Sequence, residues 1–215
     1  MGSIGVDFEF KYWIRKYEQD YPSDTEGKYP IFIDENGVKH KERSPYFETI
    51  SKVVQKRGYL LWREFVSIGE WKTERQKRRY RNNSKDDVEN TTREAFEATD
   101  KDRIKILCKL KGVGIPVASA ILTVVYPKEY CIIDYRTWRA LLWLHAQARK
   151  KSFYMTSYEE YSDFLDRYDQ YGTITAYMEF LRALKNIGER RNMTARQVEM
   201  ALWKFDKMKG KKPKE

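Results

Sequence analysis

Apolar residues recur along this chain at helical spacing, interrupted at short intervals by glycine, proline and polar turns. Phe10, Trp13, Ile14, Tyr17 and Tyr21 form the stripe of an amphipathic helix that breaks at Pro22-Ser23-Asp24-Thr25-Glu26-Gly27. Ile31-Phe32-Ile33 and Val38 flank Asn36-Gly37, a type I′ turn signal, so a short β-hairpin is expected over 30–40. Ser44 as N-cap and Pro45 in the first turn open a helix carrying Phe47, Ile50 and Val54, which closes near Gly58. A helix from Tyr59 to Ile68 ends at Gly69, and further helices are expected at about 87–98, 101–111, 116–126, 135–149, 158–169, 173–187 and 195–208. Ser157 with Glu160 and Thr194 with Gln197 have the spacing of capping boxes, and Gly172 and Gly188 stand at expected helix ends. Without a repeat or a long linker, the pattern predicts an all-α architecture with one small hairpin appended. The expected division is an N-terminal helix and hairpin over 1–43, then a helical domain over 44–215.

Composition narrows this picture. The 215 residues are 41% apolar, enough for the core of one domain or of one domain with two lobes. Eleven glycines and six prolines exclude collagen-like or low-complexity material and argue against an all-β sandwich. No stretch approaches the roughly 20 apolar residues of a membrane span, and the first residues lack the basic and apolar regions of a secretory signal. Cys108 and Cys131, the only cysteines, cannot build a four-thiolate iron–sulfur or zinc site, and free thiols imply an intracellular protein. His40 and His145 stand apart, leaving little material for a histidine metal site or a nucleophile–histidine pair.

The charge changes the list of partners. Forty-two Lys and Arg against 32 acids give +10, which favours polyanions through counterion release. Residues 70–86 concentrate Lys72, Arg75, Lys77, Arg78, Arg79, Arg81 and Lys85, interleaved with Trp71 and Tyr80, before a break at Asn82-Asn83-Ser84. Such a run is either a solvated helix face or a phosphate-contacting surface, and its charge density favours the second.

The candidate chemistry lies downstream. A helix with Ile104, Leu107 and Cys108 on one face stops at Gly112, and Gly112-Val113-Gly114 makes a tight turn because glycine tolerates positive φ. Pro116 suits the first turn of the next helix, where Ala118, Ser119 and Ala120 permit close packing. Backbone N–H groups of such a turn, together with those of the helix start at Ile115 and Val117, form a nest for an anion such as phosphate. The segment is too short for a P-loop and lacks its Gly-Lys.

Leu110-Lys111-Gly112-Val113-Gly114, followed by Ala118, Ala120, Ile121 and Leu122, resembles the helix-hairpin-helix of the DNA glycosylase superfamily. That superfamily includes endonuclease III, adenine glycosylase and 8-oxoguanine glycosylase. Its hairpin is followed by an apolar run ending in a catalytic aspartate that opens another helix. Here Tyr130-Cys131-Ile132-Ile133 leads to Asp134, 20 residues after Gly114, and then to Tyr135, Arg136, Trp138 and Arg139. The resemblance covers about residues 104–142. It implies a two-lobed helical fold, a monomer, a nucleoid-associated or nuclear location, and a substrate of double-stranded DNA with a damaged or mismatched base. It also implies a hairpin that grips the backbone with a monovalent cation, and extrusion of the base into a pocket. Asp134 would stabilise an oxocarbenium-like state and position water. Arg136 and Arg139 would contact phosphate or pocket, and Tyr135 and Trp138 either stack on a base or pack in the core. Bifunctional members carry a nucleophilic lysine two positions after the second hairpin glycine. Pro116 occupies that position, which implies a monofunctional, water-using enzyme without lyase activity. Two readings compete with catalysis: Asp134 as a plain N-cap, and a non-catalytic nucleic-acid-binding protein that keeps the hairpin.

Overall fold

The computed structural model describes residues 8–20, 32–33, 39–40, 45–148 and 171–209. Ten helices appear among them: α1 (Phe10–Asp20), α2 (Pro45–Arg57), α3 (Trp62–Lys72), α4 (Lys77–Arg81), α5 (Lys85–Glu97), α6 (Asp100–Leu107), α7 (Ile115–Val125), α8 (Tyr135–Ala148), α9 (Ile174–Glu189) and α10 (Ala195–Lys209). The fold is all-α, as the apolar spacing predicts. Strands β1 (Phe32–Ile33) and β2 (Lys39–His40) pair antiparallel, with Phe32 opposite His40. The turn expected at Asn36-Gly37 and the helix expected over 158–169, with its Ser157 cap, lie outside the described residues. No helix among those described is long and apolar enough to cross a membrane.

Helix α7 occupies the middle of the first group of helices. Ten of its eleven residues are buried, as expected for a helix that is apolar all round. It packs against α2, α3 and α6. Its last carbonyl, on Val125, accepts hydrogen bonds from Ser51 Oγ (2.7 Å) and Gln55 Nε2 (2.6 Å) of α2, so an otherwise orphaned helix end is satisfied. A second group forms where α10 packs on α1, α8 and α9. Phe8 and Trp13 meet Phe205 edge to face, and Tyr17 meets Trp203. Phe10 belongs to the same continuous core as α7, so the chain's first described helix is built into the body that holds its last.

Between the two groups runs the irregular segment from Tyr126 to Ile133. Tyr130, Cys131, Ile132 and Ile133 are all buried, and a buried segment without helix or sheet must find partners for its backbone groups elsewhere. Ile133 N donates to Ser119 Oγ of α7 (3.2 Å), Ile132 N to Glu199 Oε2 of α10 (3.4 Å), and Tyr177 Oη of α9 to Cys131 O (3.3 Å). Both groups thus fix the path of the segment that ends at Asp134.

The helix ends follow local chemistry. Thr194 and Gln197 form the expected reciprocal box at α10, with Thr194 N to Gln197 Oε1 at 2.9 Å and Gln197 N to Thr194 Oγ1 at 3.2 Å. Ser84 and Asp87 form another at α5. Gly188 lies inside α9 rather than beyond it, and Asn192, at φ 53°, takes the left-handed turn position instead.

Candidate active site and nucleic-acid interface

Asp134 opens α8. Its Oδ1 accepts the Thr137 amide (3.0 Å) while its own amide donates to Thr137 Oγ1 (2.9 Å), a reciprocal cap with the usual residue types exchanged. One carboxylate oxygen is occupied in this way. The other, Oδ2, lies 3.2 Å from Lys72 Nζ at the end of α3, with the two side chains only 23% and 14% exposed. Burial by itself would push the Asp134 carboxyl up. The neighbouring Lys72 ammonium and the Thr137 hydrogen bonds outweigh it and hold the group below its ordinary value of 3.8. Asp134 is therefore both an N-cap and a half-buried anion.

A cleft of about 840 Å³ opens in front of this pair. Its described lining comes from Lys72, Thr73, Arg75 and Gln76 at the end of α3, from Gly112, Gly114, Pro116 and Val117 around the glycine turn, and from Tyr135, Arg136 and Arg139 of α8, with Tyr171 and Trp203. Segments far apart in sequence thus converge on Asp134.

The glycine turn contributes backbone. Gly112 has φ 87°, as a left-handed turn requires. Gly114 departs from the expectation: at φ −108° and ψ 180° it is the extended N-cap of α7, and an added Cβ would touch only Pro116 Cδ at 3.9 Å. Its side is bare toward the cleft rather than strained. Among the described residues, no backbone or side-chain hydrogen bond engages the amide N–H of Gly112, Gly114 or Ile115. The Val113 amide donates to Leu110 O (3.1 Å) and that of Val117 to Gly114 O (2.9 Å), so these two amides serve the turn itself. The side chains of Val113, Ile115 and Val117 are buried in the core, which restricts any contact from these residues to backbone. The carbonyls of Leu110, Lys111 and Gly114 already accept hydrogen bonds. Among the described residues, no hydrogen bond engages the carbonyls of Gly112 and Val113.

The basic run is joined to this turn. After α3 comes a 3₁₀ turn, Glu74–Gln76, and then α4. Tyr80 of α4 is fully buried, one ring edge toward Gly69 and the other toward Gly112. Asn83 completes the join: its Oδ1 accepts the Lys111 amide (2.8 Å), and its Nδ2 donates to Lys111 O (3.0 Å) and Tyr80 O (2.9 Å). Arg75, Arg78 and Arg79 remain exposed, Arg75 in the lining of the cleft and Arg79 with its Cβ beside Gly112, whereas Arg81 pairs with Glu70 (2.7 Å).

Two arginines expected at DNA have other partners. Arg139 is buried, donating to Asp206 Oδ1 through Nε (2.6 Å) and to Oδ2 through an Nη (2.7 Å). A third hydrogen bond, to Tyr135 Oη (2.7 Å), fixes that ring at the cleft wall. Arg139 is thus a positioning group rather than an outward phosphate contact, because a fork-shaped guanidinium matched to a fully buried carboxylate gains little by leaving it. Arg136 gives one Nη to Asp206 (2.9 Å) and stays 41% exposed. Trp138, tilted against Phe180 at 6.3 Å between ring centroids, packs on α9. Lys72, expected as one phosphate contact among several, is instead the ion-pair partner of Asp134. Tyr171, which the aromatic spacing over 153–181 assigns to the core, lines the cleft instead; Trp203 and Asp206 have no counterpart in the sequence pattern, since on α10 an aromatic and an acid three residues apart carry no signal of their own. Among the described residues no group of three His, Cys, Asp or Glu lies close enough to hold a metal ion. Against protein-family models, curated proteins and solved structures, the chain gives no match.

Proposed function

We propose that this protein is a DNA glycosylase of the helix-hairpin-helix class, with Asp134 as its catalytic carboxylate. The observation that carries the reading is the convergence at one cleft of a half-buried aspartate, a glycine turn with unengaged amides and a basic flank. The turn and the flank hold phosphates without reading sequence, and a damaged or mismatched base enters the cleft from the duplex. As the C1′–N bond breaks, the Asp134 carboxylate faces the developing oxocarbenium and orients the water that adds to C1′. With Pro116 at the family's lysine position, water is the nucleophile and the enzyme is monofunctional. The test is release of a base from a lesion-bearing duplex and its loss in Asp134→Asn. A chain that binds duplex DNA tightly but releases no base would be the non-catalytic binding protein instead.

One observation favours a second reading of the same site. Lys72 brings a primary amine to 3.2 Å from Asp134 inside the cleft, from a different helix than the family's lysine. Once the Lys72 ammonium has given its proton to solvent, the amine can attack an aldehyde and form an imine with loss of water, with the carboxylate beside it to stabilise the cationic imine. Borohydride treatment on abasic-site DNA decides between the two: an adduct abolished by Lys72→Ala supports the lyase, and its absence supports the water-using enzyme.

A further inference from the structure

Ala118, Ser119 and Ala120 read in sequence as room for close helix packing, but Ser119 is polar, fully buried and set in the middle of α7. Its hydroxyl has two backbone partners. Oγ donates to Pro116 O (2.9 Å) one turn back and accepts the Ile133 amide (3.2 Å), 14 residues ahead. A carbonyl only accepts and an amide only donates, so the single hydroxyl proton has one place to go. A helical serine commonly turns its proton back on the preceding turn. Here that leaves a lone pair facing out of the helix, and the residue before Asp134 takes it.

Given the glycosylase reading proposed above, we infer that Ser119 is a positioning residue, whose hydroxyl sets the distance between the turn that holds the DNA backbone and the carboxylate that acts on the sugar. Pro116, at one end of the bridge, lines the cleft directly after the unengaged amides of Gly114 and Ile115. Ile133, at the other end, carries Asp134. The Ile132 amide is taken by a different helix, at Glu199 Oε2 of α10 (3.4 Å), so α7 and α10 hold successive amides and fix the chain between them. Asp134 then reaches Thr137 and Lys72 from a fixed backbone. Without the Ser119 hydroxyl, the Ile133 amide is buried with no acceptor and must move to find one. Asp134 moves with it, and a misplacement of about 1 Å can cost on the order of 10²-fold in rate. Being fully buried, Ser119 touches no substrate. The Gly112 turn and its Asn83 tie do not depend on it, so the grip on phosphate is kept.

Thr92 supplies the control. It too is fully buried, and its Oγ1 donates to Val88 O (2.7 Å) and accepts the Leu60 amide (3.0 Å). That is the same bridge from a helix to a distant amide, made outside the described lining of the cleft. The experiment is single-turnover base release at saturating protein from duplexes carrying one uracil, hypoxanthine, 8-oxoguanine or 3-methyladenine, read on the lesion the wild type releases fastest. Urea midpoints and affinity for a duplex with a tetrahydrofuran abasic analogue are measured alongside. Ser119→Ala should release base about tenfold or more slowly with affinity retained, whereas Thr92→Val should lose comparable stability and keep its rate. If Ser119→Ala does not fold, Ser119→Cys is read in its place, since a thiol is only a weak acceptor. A Ser119 variant at the wild-type rate, or Thr92→Val slowed as much, overturns the positioning role and leaves the glycosylase reading standing. Release of no base by the wild type overturns that reading and this inference with it.

Discussion

Replacing Gly112 and Gly114 by alanine, one at a time, separates a glycine that shapes the turn from one that leaves room for a ligand. At Gly112 the new Cβ would lie 2.9 Å from Arg79 Cβ and from Cδ1 and Cε1 of Tyr80, at a backbone φ of 87°. The Tyr80 ring has no retreat, since a Cβ built on Gly69 would meet its other edge at 2.8–2.9 Å. A left-handed residue with a Cβ costs about 1–2 kcal/mol and overpacking a fixed core about 1–3. The stiffer unfolded chain returns at most about 1 kcal/mol, for a net loss of about 1–4. At Gly114 the backbone is extended and the nearest atom is 3.9 Å away, so the loss should stay within about 1 kcal/mol. Its methyl would instead stand between the cleft and the Gly114 and Ile115 amides. Losing one such charge-assisted hydrogen bond, worth about 1.5–3 kcal/mol, weakens duplex binding about tenfold or more. Urea denaturation and fluorescence anisotropy with a duplex measure the two effects. Gly112→Ala as stable as the wild type would refute the claim that Tyr80 is immobile. Gly114→Ala with undiminished affinity would refute the turn as a phosphate seat.

Other expectations follow from the same geometry. Asp134→Asn keeps an N-cap yet removes the anion that the proposed mechanism sets against the sugar, so base release should fall roughly 10²-fold or more with duplex binding retained. Because the folded Asp134 carboxyl sits below 3.8, its stabilising contribution is present above that value and is lost as pH falls through the lower folded one. The stability of Asp134→Asn should accordingly depend less on pH below about 4 than that of the wild type in acid-titrated denaturation. Asp206→Asn leaves the buried Arg139 without its carboxylate and should cost about 3–5 kcal/mol in a urea titration; a loss under 1 kcal/mol would contradict the pairing. Duplex affinity should fall with salt at a log–log slope of about −0.9 per phosphate contacted, and Arg75→Gln or Arg79→Gln should each make it shallower by about that amount. An unchanged slope would remove that arginine from the interface.

Most helices were legible where apolar spacing and a breaker agreed. Helix α3, however, starts at Trp62 rather than Tyr59 and runs through Gly69 to Lys72, as α9 runs through Gly188, because a glycine inside a helix weakens it without ending it. The all-apolar run of α7 announced a core helix, and Thr194 with Gln197 announced the start of α10. Less could be read where a residue's role depends on distant packing. Gly112 and Gly114 look alike in sequence, yet Tyr80, some thirty positions earlier, decides that only the first carries the turn. Arg136 and Arg139 read as outward cations because their acceptor, Asp206, lies about seventy residues downstream. Lys72 was one basic residue among seven until the end of α3 brought it to Asp134. Local pattern fixes a helix, but the partner of a charge is a tertiary fact.

The Asn83 bridge bears on how the protein would meet a polyanion. Asn83 ties the basic turn to the segment 28 residues further on with its whole amide group. The two surfaces are consequently oriented during folding rather than at encounter. Ordering a loop at an interface costs about 0.5–1.5 kcal/mol for each side chain immobilised, and here the backbone share of that cost falls on the folding equilibrium. Affinity then has two independent origins: the number of cations, set by residues free to vary on the surface, and their spacing, set by one buried amide that carries no charge.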